Sequence, residues 1–151
     1  MPVSVADLTL ELVNIPSPSR EEAALLHHVS ASVPLPVAYA TNEALLFAAE
    51  RTGRPLVLLA GHLDTVPAQG NLPGRIEDGW VVGLGASDMK GGLAVEPKQA
   101  WTPVAEFAAQ GLDAINLGPG ATWYAHRRDE RVQIAELERT LETLRHFAAA
   151  P

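Results

Sequence analysis

The sequence has no cysteine, which excludes disulfides and thiolate metal sites. Any metal would have to sit on His, Asp or Glu. Basic residues are scarce. Lys and Arg total 11 against 18 Asp and Glu, for a net charge of −7. They do not cluster, so no nucleic-acid partner is expected. No apolar run approaches the ~20 residues of a membrane span. The stretch Met1-Pro-Val-Ser-Val-Ala-Asp7 lacks the basic region and long apolar core of a signal peptide. No membrane partner is expected, and a cytoplasmic location is the default. Internal repeats and low-complexity segments are also absent.

What is present suits a globular α/β chain. The 151 residues are 47% hydrophobic and 19% charged, enough for one ordinary core and too apolar for disorder. The expectation is a single domain over residues 1–151.

Local signals set the elements. Ser4 caps a first helix, with Leu8, Leu12 and Ile15 on its apolar side, and Pro16 and Pro18 break it. Ser19-Arg-Glu-Glu22 reads as a capping box for a helix from about Arg20 to Val33. The neighbouring His27 and His28 point in different directions on that helix and read as surface residues. Two short strands, Val37 to Thr41 and Ala44 to Glu50, suggest a hairpin. Leu56 to Ala60 is an apolar run bounded by turn residues, the pattern of a buried strand. Ile76 to Val82 reads as another hairpin turning at Asp78-Gly79. A very short helix is expected before Pro97, a longer one over 101–111, and a strand over 113–117. Residues 121–130 read as a polar loop. The last helix, about Val132 to Ala148, places Ile134, Leu137, Leu141, Leu144 and Ala148 on one face.

The chemistry-bearing stretches are Gly61-His-Leu-Asp-Thr-Val-Pro67 and Gly83-Leu-Gly-Ala-Ser-Asp-Met-Lys-Gly-Gly92. Polar groups at the end of a buried strand are where α/β folds place their sites. His62, Asp88 and His126 each fall where a strand gives way to a loop. Neutral or anionic donors of this kind suit zinc or a similar cation. Taken singly, each reads more readily as an ordinary hydrogen-bonding loop residue than as a ligand. A nucleotide site at Gly83-Leu-Gly or Gly118-Pro-Gly is a poor alternative, since neither matches the dinucleotide fingerprint.

These two stretches, with Gly118-Pro-Gly120, Ala125-His126 and Glu130, resemble the co-catalytic zinc aminoacylases. That family includes acetylornithine deacetylase, succinyl-diaminopimelate desuccinylase and related carboxypeptidases. The resemblance implies a three-layer mixed-sheet zinc-peptidase-like catalytic domain. It implies that His62 binds one metal, that Asp88 bridges two, and that His126 binds the second. Asp64 would orient His62, and Gly118-Pro-Gly120 would shape the pocket. The implied cofactor is Zn, or Co or Mn, and the implied substrate is an N-acyl amino acid or short peptide.

The chain departs from that family in one large respect. The family's Glu-Glu pair, a general base and a metal ligand, has no counterpart, and neither has its lid domain. The only adjacent glutamates, Glu21-Glu22, belong to the capping box. Between Gly92 and Lys98 the chain passes from the start of one helix directly to what resembles the C-terminal portion of the family's catalytic domain, an apparent deletion junction near 93–98. The expectation is therefore a truncated domain binding at most one ion, with impaired hydrolysis. The alternative is a non-catalytic remnant or scaffold. Missing cover over a strand should also cause self-association. Lys98, Arg127 and Arg128 could meet a carboxylate but read as solvated surface.

Overall fold

The computed structural model describes residues 3–41, 44–49, 57–95, 109–111, 115 and 117–149. Helix α1 spans Val5–Val13. Ser4 Oγ accepts the Asp7 N–H at 3.1 Å, so the expected cap forms. The buried face is Ala6, Thr9, Leu12 and Val13, rotated around the helix from the predicted Leu8–Leu12–Ile15 side and sharing only Leu12 with it. Thr9 is tolerated there because its hydroxyl donates to Val5 O at 2.8 Å.

Helix α2 spans Ala23–Ser32 and buries Leu25. It starts later than predicted because the expected cap is otherwise engaged. Ser19 Oγ donates to Asp64 Oδ2 at 2.7 Å, while Glu22 Oε1 accepts the Arg20 N–H at 2.6 Å. Half of the capping box is therefore a local turn, and the other half is a long-range tether.

Strands β1 (Val37–Ala40) and β2 (Leu45–Phe47) form the predicted hairpin, with a register shift between Val37 and Tyr39. All of β1 is exposed. Strands β3 (Arg75–Glu77) and β4 (Trp80–Val82) form the second hairpin. Asp78 at φ 49° and Gly79 at φ 80° give both central turn residues the left-handed conformation a two-residue hairpin favours. A third strand, β5 (Arg131–Gln133), pairs antiparallel with β4. The last helix, expected from about Val132, therefore begins at Ile134. One β-bridge outside the strands joins Pro18 to Thr65 in parallel.

After β4 the chain makes a wide turn, Ala86–Lys90, and then helix α3, Gly91–Val95. The predicted short helix before Pro97 is thus present. Helix α4, Ile134–Ala149, closes the described fold and buries Leu137 and Thr140. The core joins Ala6 and Val13 of α1, Val81 of β4, Val132 of β5, Ala86 and Leu137. One face of the β3–β4–β5 sheet therefore packs against α1 and α4.

Two expectations are corrected. Val57, Leu58 and Leu59 are in no strand and are 56%, 51% and 51% exposed. A run apolar on both faces needs neighbours on both faces, and neither sheet among the described residues flanks it. The second half of α4 is also uncovered: Leu144 is only partly buried and Ala148 is exposed. The chain has mixed α and β content, but its two described sheets are antiparallel and separate. A three-layer mixed sheet is not among the described residues. The helix expected over 101–111 and the strand over 113–117 lie mostly outside them, as do Glu96, Pro97 and Lys98. No helix among the described residues is long and apolar enough to cross a membrane.

Candidate functional site

The site is built on the wide turn after β4. Gly85 stands at φ 81°, and a Cβ there would lie 3.0 Å from Thr65 Cγ2 and Lys90 Cδ. Only glycine lets the turn press against the residue 65 segment. Asp88 consequently points inward and is 7% exposed. Lys90 is buried beside it, donating from Nζ to Ile15 O at 2.6 Å. Burial lowers its pKa to about 8, opposed by the carboxylate of Glu130.

His62 arrives from the other side. The Ser17–Ser19 segment holds its stretch in place. Ser17 Oγ donates to Leu63 O at 2.7 Å, and the Thr65 N–H donates to Ser17 O at 2.8 Å. His62 Nδ1 then lies 2.9 Å from Asp64 Oδ1. His62 Nε2 lies 3.1 Å from Asp88 Oδ1. The bond to Asp88 is the largest influence raising the His62 pKa, with burial opposing it and the charges of Asp88 and Asp64 assisting. When protonated, the imidazole donates to a carboxylate on each side.

His126 completes the group. It takes φ 62°, a left-handed conformation held by its surroundings. Gln69 Nε2 donates to His126 O at 3.4 Å, and Asn71 Nδ2 donates to Arg127 O at 3.3 Å. His126 Nε2 lies 3.1 Å from Asp88 Oδ2. Asp88 therefore gives one oxygen to each imidazole. Burial alone would raise its pKa, but the bonds and charges of His62 and His126 carry it below the ordinary value.

All four sequence-predicted site residues thus meet in one chain of contacts: Asp64, His62, Asp88, His126. Gly120 also touches the site's frame, its N–H donating to Glu136 Oε2 at 3.2 Å. Arg127 pairs with Asp129 at 2.9 Å on the exposed surface, in keeping with its reading as solvated. Sequence reasoning missed the role of Glu130. It is 1% exposed, and its Oε1 accepts the N–H groups of Ser87 and Asp88 at 3.1 and 3.0 Å. Its only sequence signal was its place shortly after His126.

The donor chemistry suits a borderline cation, but the donor count does not complete a site. His62 with Asp88 Oδ1, or His126 with Asp88 Oδ2, gives two protein donors, against the three or four of zinc sites. Glu130 is committed to backbone amides. Among the described residues, no group of three or more His, Asp and Glu side chains is arranged to hold a metal ion.

The sequence pattern of Peptidase family M20/M25/M40 matches residues 58–98. That stretch is similar to this family. The matched segment contains His62, Asp64 and Asp88, and stops short of His126. Over 93 residues the chain is 42% identical to succinyl-diaminopimelate desuccinylase of Corynebacterium glutamicum, covering 58% of this chain and 25% of that protein. It is 43% identical over 93 residues to a putative succinyl-diaminopimelate desuccinylase of Mycobacterium tuberculosis, covering 59% and 26%. A putative LysW-lysine/LysW-ornithine hydrolase of Pyrococcus furiosus is 49% identical over 57 residues, covering 38% and 17%. The chain thus matches about a quarter or less of the length of these M20 relatives.

Proposed function

We propose that this chain carries part of the metal-dependent centre of a hydrolase acting on N-acylated amino acids or short peptides. The observation that carries the reading is Asp88, buried, with one carboxylate oxygen on His62 and the other on His126. That is the arrangement of a carboxylate poised between two ligand positions. The names of the M20 relatives supply the substrate class. In this reading His62, Asp88 and His126 are the metal ligands, and Asp64 orients His62. The ion is Zn, Co or Mn, which would polarise an amide carbonyl and activate water. A cytoplasmic location belongs to the same proposal.

The chain by itself is a truncated single domain with a deletion junction near 93–98, and three ligands serve at most one ion. Without a general base, hydrolysis falls by roughly 10²–10⁴-fold. The test is zinc titration into chelator-stripped protein, followed by turnover of an N-succinyl amino acid. Weak binding of one ion with little turnover is expected. Turnover near that of a full-length relative would overturn the impairment, and absence of any Asp88-dependent binding would overturn the metal reading.

A second reading is a non-catalytic scaffold that self-associates. The exposed run Val57–Leu59 favours it, since an uncovered apolar strand-like segment is a template for pairing. Light scattering over a concentration series separates the two, because a strictly monomeric chain would remove this support.

A further inference from the structure

Glu130 occupies a position that the hydrolase reading leaves without a purpose. Its carboxylate is buried beneath the turn that carries Asp88, and its Oε1 accepts two successive N–H groups, those of Ser87 and Asp88. The Gly85 N–H is a third favourable backbone group for the same carboxylate. Gly85 is left-handed at φ 81°, which helps bend the turn so that its amides converge. Convergent backbone amides of this kind form an anion-binding nest. The nest is filled by a side chain from another part of the sequence.

Glu130 is tied in through its main chain as well. The Gly83 N–H donates to Glu130 O at 2.9 Å, and the Glu130 N–H donates to Arg127 O at 3.1 Å. One residue thus joins the loop bearing His126 to the turn bearing Asp88. It touches neither imidazole.

We infer that Glu130 is a positioning residue: its carboxylate fills the backbone nest of residues 85–88 and so holds Asp88 between His62 and His126. This goes beyond the hydrolase reading and does not depend on a bound metal.

The test is Glu130→Ala with chemical rescue. The substitution removes one methylene and one carboxylate beyond Cβ, and acetate restores the same groups. The readout is the set of imidazole nitrogen signals of His62 and His126 in protein labelled with ¹⁵N-histidine. In the unsubstituted chain, both residues give hydrogen-bonded signals that acetate leaves unchanged. In Glu130→Ala, the Nε2 signals of both should shift to those of unbonded rings, while His62 Nδ1, held by Asp64, changes least. Acetate should return them, and chloride at equal ionic strength should not. Unchanged signals, or a loss that acetate fails to reverse in folded protein, would overturn the inference. Should Glu130→Ala not fold, Glu130→Leu gives a second measurement. It has an apolar side chain of similar volume but offers no acceptor to the Ser87 and Asp88 N–H groups. A shift of both Nε2 signals in folded Glu130→Leu supports the role, and unchanged signals there contradict it.

Discussion

The centre and the flank of this molecule obey different rules. At the centre, α1, the turn at 86–90, β4, β5 and the start of α4 share one apolar cluster, and the buried Asp88, Lys90 and Glu130 have hydrogen-bond partners. On the flank, Val57, Leu58 and Leu59, the β1 face and the end of α4 are just as apolar and lie open to water. Apolar pattern alone does not produce burial, because burial also needs a second surface. The flank is patterned for neighbours that the described residues do not supply. The proposed site straddles this boundary: Asp88 and Glu130 are central, while Asp64 and His126 are on the open side.

The largest effect is expected at Leu137, which is fully buried. Leu137→Ala should cost about 3 kcal/mol by loss of transfer energy plus a cavity. Leu59→Ser should change monomer stability by less than about 0.5 kcal/mol while reducing self-association. Urea unfolding and light scattering read the two effects. Equal destabilisation at both positions would erase the distinction between centre and flank.

The next largest effect concerns pH. Lys90 has a folded pKa of about 8 against an ordinary 10.5. Between those values the unfolded chain holds more protons, so this group makes stability rise with pH. The gain is at most a few kcal/mol at about 1.4 per unit, and Lys90→Met should abolish the rise. His62 acts in the opposite sense. Its pKa is raised above 6.5 by Asp88 and its neighbours. The stability it contributes is fully present below 6.5 and is lost as pH climbs through its folded value. Urea midpoints across the neutral to alkaline range should therefore fall and then rise, and a flat profile would contradict both assignments.

A smaller effect is expected at Gly85. Its left-handed φ and the 3.0 Å approach of Thr65 and Lys90 carbons make Gly85→Ala cost about 2 kcal/mol. Gly79 has a similar φ with nothing within 4 Å, so Gly79→Ala pays only the backbone strain. The smallest effect belongs to Ser19, exposed at the rim. Ser19→Ala should cost about 0.5 kcal/mol and shift the Nδ1 signal of His62 through Asp64.

Local signals were legible in the sequence because their causes are local. The Ser4 cap, the Asp78-Gly79 turn and the short helix before Pro97 follow from a few adjacent residues. The meeting of His62, Asp64, Asp88 and His126 was legible through motif strings, since spacing alone could not bring residue 126 to residue 88. What escaped was long-range. Strand β5 exists because Val132 finds Val81 across a ladder. Ser19 was misread as a cap because Asp64, far along the chain, takes its hydroxyl. Glu130 could not be told from a surface acid, because its partners are backbone amides. The Leu56–Ala60 strand failed for the opposite reason: its local pattern was sound, but it lacked the expected neighbours.

The central claim is that Asp88 is the shared carboxylate of a partial metal centre. Calorimetric titration of zinc into chelator-stripped chain, beside Asp88→Ala, tests it most directly. Weak binding of no more than one ion, abolished by the substitution, is expected. Tight binding of two ions, or one-ion binding that survives Asp88→Ala, would contradict it.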